Sequence, residues 1–95
     1  MGRKHLPNNI HKMMIATAKA YPEMQAGGYK AYLEPIEKAL DSLPDETAKN
    51  IIRKNLFEGI PMQCINEPCS IKTMQRYRQG FLWSMAREMR KHGLF

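Results

Sequence analysis

Apolar residues along this chain recur at steps of three and four, and no stretch alternates as a strand would. The longest run covers residues 70–92. There Met74, Tyr77, Phe81, Met85 and Met89 fall on one helical face, with Ile71 and Leu82 beside it. The opposite face reads Lys72, Arg76, Gln79, Trp83, Arg87 and Arg90 at the same spacing. One helix therefore carries an apolar stripe that needs a core and, back to back with it, a basic stripe. Gly80 lies inside this helix, costs it roughly 1 kcal/mol relative to Ala, and reads as a close approach of another backbone.

The remaining pattern predicts shorter helices. Asn8 or Asn9 is placed to cap a first one, with Ile10, Met13, Met14 and Ala18 as its apolar positions and Tyr21-Pro22 as its end. Residues 23–28 read as a connector closed by Gly27-Gly28. A helix over 35–42 buries Ile36, Ala39, Leu40 and Leu43, and either starts at Pro35 or runs through from Tyr29 with a kink. Ser42 as cap, Pro44 at an early position and Asp45-Glu46 at the positive end of the dipole open the next helix. It runs to about Glu58, buries Ala48, Ile51, Ile52 and Leu56, and stops at Gly59. Between Pro61 and Pro68 there is room for one short turn over 62–65, and Ser70 then caps the last helix. The expected fold is all-α: four or five helices in a single domain over 1–95, with a flexible basic arm over 1–7 and a helix-turn-helix-like unit over 43–92.

Charge sharpens this picture. The net charge is +6, distributed as +4 over residues 1–22, −3 over 23–69 and +5 over 70–95. Residues 70–92 hold six of the fifteen basic residues and a single acid, Glu88. Surface helices usually mix signs, because oppositely charged pairs one turn apart stabilise them. A one-sign helix forgoes that gain, and a polyanionic partner is the reading that explains it; solvation of a charged face is the plainer alternative. No run of 18 apolar residues and no secretory pattern occurs, so the expectation is a cytoplasmic protein with no membrane partner. Cys64 and Cys69 lack clustered histidines, so no metal site is expected, and a reducing compartment disfavours a disulfide; two partly buried thiols and no cofactor are the expectation. Nothing in the pattern suggests an enzyme: the three His are scattered, and Glu34, Glu37, Asp45 and Glu46 read as helix-start or solvated charges.

The order helix, Gly, short insert, Ser-capped basic helix is a helix-turn-helix layout. Leu43-Pro44 opening a helix, Ile51-Ile52 within it, Gly59 closing it, Ile65 in the insert and Ser70-x-x-Thr73-Met74 opening the last helix carry a resemblance. This stretch resembles the fourth conserved region of bacterial sigma factors and the small phage transcriptional regulators of the RinA and ArpU type. The resemblance covers a little under half of the chain, and its 59–70 interval is shorter than the family pattern. It implies a sequence-specific regulator that binds double-stranded DNA, with RNA polymerase as a further partner; a homodimer is expected separately, because one short recognition helix alone gives little affinity. It implies that Ser70 caps a recognition helix and that Ile71, Lys72, Thr73, Gln75, Arg76 and Gln79 enter the major groove. The residues themselves agree, since Arg suits guanine, Gln suits adenine, and a helix N-terminus suits a phosphate. Arg78, Arg87 and Arg90 would then contact phosphates, as would Lys91. Trp83 has three readings: packing on the first helix, a dimer contact, or contact with DNA sugar. The competing functional reading is a small helical adaptor or assembly protein that binds another protein through its Met-rich and Trp surfaces.

Overall fold

A computed structural model describes residues 6–94; most of the basic arm, including Arg3, Lys4 and His5, lies outside them. Among the described residues the fold is all-α and contains no strand. The helices are α1 (Asn8–Lys19), α2 (Tyr21–Gly27), α3 (Lys30–Asp41), α4 (Glu46–Ile52) and α5 (Ile71–Lys91). The chain leaves α4 through a π-helical turn over Arg53–Phe57, and a single 3-10 turn over Met62–Cys64 precedes α5.

The long C-terminal helix is the centre of the fold. Its largest interface is with α3, and α1 and α4 pack on it as well. Met74, Phe81, Leu82, Met85, Ala86 and Met89 are buried, so the apolar stripe of α5 is core. Met14 and Ala18 of α1, Ile36, Ala39 and Leu40 of α3, and Ile52 and Leu56 close around its middle and end. A smaller cluster of Ile51, Ile65 and Met74 seats the connector under the first turns of α5, and Tyr77 touches both clusters. Phe57 bridges outward from this core, stacked on Tyr21 at 4.5 Å and edge-on to Phe81 at 6.2 Å.

Several boundaries differ from the sequence expectation. Helix α1 ends at Lys19, just before Tyr21-Pro22 as expected, but Pro22 then occupies the first turn of α2, where a missing N–H is harmless, and residues 23–27 are helical rather than a connector. No side chain caps α1, because Pro7 takes the cap position and Asn8 and Asn9 are already helical. Leu6 is half-buried against the core rather than part of a free arm. Met13 is 40% exposed, and the half-buried Ile15 packs on the core in its stead. Helix α3 runs unbroken through Pro35. That proline is buried, and the carbonyl four residues before it, which its missing N–H leaves without a helical donor, belongs to exposed Ala31.

The cap of α4 is Asp45, whose Oδ1 accepts from the Ala48 N–H at 2.9 Å. Ser42 does not cap it; its hydroxyl donates to the Ala39 carbonyl at 2.6 Å and lies 3.4 Å from that of Ser84. Gly59 does end the helical stretch. Its φ of 76° lets the chain reverse so that the Ile60 N–H returns to the Lys54 carbonyl at 2.9 Å. Gly80, in contrast, marks no close approach, since a Cβ there would meet nothing within 4 Å. Cys64 is exposed and only Cys69 is half-buried. No described helix is long and apolar enough to cross a membrane.

Candidate nucleic-acid interface

Ser70 caps α5 as its position suggests. Its Oγ accepts from the Thr73 N–H at 3.2 Å and lies 3.1 Å from the Thr73 hydroxyl. Thr73 is half-buried and turned back to this cap, so it stands apart from the other residues expected in the groove. Ile71, Lys72, Gln75, Arg76 and Gln79 are all exposed, with Ile71 at 45%. At 3.6 residues per turn they share an arc of roughly 140°. Among the described residues, neither Lys72 nor Arg76 is ion-paired to a carboxylate. The first three turns of α5 thus present two cations, two amides and an isoleucine on one open face.

Arg78 is set differently. It lies at the edge of the buried stripe, and its Nη1 donates to Asn55 Oδ1 at 3.1 Å. Burial holds its pKa below the usual guanidinium value, and the group remains charged. Asn55 is itself buried and donates through Nδ2 to the Ile60 carbonyl at 2.9 Å. A second clamp joins Lys54 to Glu67 at 3.0 Å. Together these bonds tie the π-helical turn, the connector and α5 to one another. Sequence reasoning passed over Asn55, although a polar residue in the apolar series Ile51, Ile52, Leu56 was a visible signal.

Beyond Leu82 the open face changes character, because the start of α1 rises beside it. Leu6, Pro7 and Ile10 face Trp83 and Ala86 across a pocket of about 270 Å³, with Arg87 and Arg90 at its edge. The Arg87 guanidinium lies 5.0 Å from the Trp83 ring centroid, within cation–π range. Of the three readings for Trp83, half-burial beside α1 matches packing on the first helix. Arg87 and Arg90 lie about 16 and 21 Å along the axis from Arg76, at 1.5 Å per residue.

Compared with protein-family models, with curated proteins and with solved structures, the chain matches none.

Proposed function

We propose that this protein binds double-stranded DNA, inserts the N-terminal turns of α5 into the major groove, and acts as a sequence-specific transcriptional regulator. The observation that carries this reading is the open face of Lys72, Gln75, Arg76 and Gln79 directly after a Ser-capped helix start. Arg and Gln are the side chains that read guanine and adenine edges bidentately. The free N–H groups behind Ser70 suit a phosphate. The likeness of residues 43–86 to sigma-factor region four and to small phage regulators supports the same assignment, with RNA polymerase as the second partner. A homodimer is part of the proposal, because one short recognition surface gives little affinity and twofold pairing doubles the contacts.

The experiment is selection of bound sequences from random duplexes, followed by titration of the selected site at several salt concentrations. A protein that neutralises several phosphates loses affinity steeply as salt rises. A flat salt dependence with no enriched sequence overturns the proposal. The adaptor reading loses most of its Met-rich surface, because Met14, Met74, Met85 and Met89 are buried in the monomer. Its Trp surface remains, as the pocket at Trp83.

A further inference from the structure

Ile71 stands apart from the other large apolar residues of α5. Met74, Phe81, Leu82, Met85 and Met89 are buried and Tyr77 and Trp83 are half-buried, whereas Ile71, at the first helical position, is 45% exposed. It joins neither apolar cluster of the fold. The other exposed large apolar residues, Met13, Tyr29 and Tyr32, lie outside α5. Local stability does not account for the choice. Isoleucine adds nothing to the Ser70 cap, and its β-branch makes it a poorer helix former than leucine, lysine or glutamate.

The neighbours of Ile71 on the open face are polar. Gln75 stands one turn along on the same side, and Lys72 and Arg76 supply two cations that no carboxylate pairs among the described residues. A single aliphatic side chain set among cations and amides fits a surface that is anionic and polar but carries isolated apolar groups. The major groove of DNA is such a surface. Phosphates flank it, donors and acceptors line the base edges, and the C5-methyl of thymine is its apolar group. Thr73 is the other residue expected in the groove that carries a methyl group. It is half-buried, and its hydroxyl lies 3.1 Å from that of Ser70, which leaves Ile71 for this contact.

We infer that Ile71 is a specificity-determining residue that reads the C5-methyl of one thymine in the major groove. The inference rests on the DNA-binding reading above and adds a base preference to it. The contact is aliphatic and makes no hydrogen bond, so the methyl alone is the discriminating group. Losing one methyl-sized group from such a contact lowers affinity about fourfold.

The test uses the full chain and the duplex selected from random sequences. Each thymine is replaced in turn by deoxyuridine, which keeps the base pairing and the O4 acceptor and removes only the methyl. With wild type, one position should lose about three- to fivefold in affinity. With Ile71→Ala that position should become insensitive to the replacement, while Arg76→Ala should keep the sensitivity. Ile71→Val retains a branched aliphatic side chain and should keep the preference for thymine. Ile71 is exposed, so neither of its variants should move the unfolding midpoint, and circular dichroism checks this. A selected site that tolerates deoxyuridine at every position, or that contains no thymine, overturns the inference and leaves DNA binding standing. A loss at one thymine that is as large for Ile71→Ala as for wild type assigns the methyl to another side chain and also overturns it. Selection that enriches no sequence overturns the sequence-specific reading and this inference with it.

Discussion

Arg78 of α5 donates to the side chain of Asn55 at 3.1 Å, and Asn55 passes the link on to the Ile60 carbonyl at 2.9 Å. Two polar groups in an otherwise apolar seam thereby decide how the helix after the connector sits on the helix before it. The π-helical turn over Arg53–Phe57 is where Asn55 sits. Such turns insert one extra residue and re-aim a side chain.

Asn55→Ala should be among the most destabilising polar substitutions in the chain. It leaves the Ile60 carbonyl without its donor and the half-buried Arg78 without its acceptor. Leaving buried polar groups unsatisfied costs about 1–3 kcal/mol. Urea unfolding monitored by circular dichroism should show the midpoint fall by a corresponding amount. A loss below about 0.5 kcal/mol would mean that water replaces both bonds.

Gly80→Ala should stabilise the protein. The position is mid-helix, and a Cβ there meets nothing within 4 Å. Removing glycine's conformational freedom from a helix interior gains about 0.8–1 kcal/mol. For a domain of this size that raises Tm by roughly 4–8 °C. Scanning calorimetry decides it, and a lowered Tm would reveal a contact at Gly80 that forms only in solution.

Asp45→Ala should cost about 0.5–2 kcal/mol through loss of the α4 cap, whereas Asp45→Asn should be close to neutral because Asn caps as well. The pair of variants separates the hydrogen bond to Ala48 from the carboxylate charge. Equal losses for both would assign the effect to charge.

Arg76→Ala and Arg78→Ala should both weaken DNA binding, in different ways. Arg76 is exposed on the open face. Its loss should cost roughly 1–3 kcal/mol on the selected site and relax specificity at one position. Arg78 was expected from sequence to be a phosphate contact, whose loss flattens the salt slope by about one unit. Its bond to Asn55 adds a second effect: Arg78→Ala should also lower the unfolding midpoint, and Arg76→Ala should not. Equal affinity of wild type and Arg76→Ala for the selected site removes the recognition-helix assignment.

Alkaline stability should depend on Tyr21. Burial raises its pKa above 10.0, with its hydrogen bond to Glu37 and the charge of that carboxylate adding to the rise and Arg53 opposing it. The folded chain therefore holds this proton more tightly than the unfolded one. The contribution is complete below pH 10.0 and is lost as pH rises through the folded-state value. Tyr21→Phe should flatten the decline of unfolding free energy above pH 10.0 relative to wild type. Parallel declines in the two proteins would show that Tyr21 titrates alike in both states.

The sequence by itself determined what is local. The apolar stripe of α5, its Ser70 cap, the stop at Gly59, the single turn over Met62–Cys64 and the buried positions Ile36, Ala39, Leu40, Ile51, Ile52 and Leu56 all follow from spacing and cap chemistry. Such features depend on residues a few positions apart. The exposed character of Lys72, Gln75, Arg76 and Gln79 was legible for the same reason, because an apolar stripe on one side of a helix defines the other. Tertiary structure decided the rest. Pro22 stands in the first turn of a new helix just after α1 has ended, whereas Pro35 lies inside a continuous α3, and proline by itself is compatible with either outcome. Met13 and Ile15 are equally plausible core residues by spacing, and only the position of α1 on α5 separates them. Arg78 and Arg87 are both arginines on the same helix. Their different surroundings, a buried amide for one and an indole face for the other, come from Asn55, 23 residues before Arg78, and from α1, which rises beside Trp83. Those are contacts between segments distant in sequence, and they are settled by the free energy of the whole packed chain rather than by any one stretch of it.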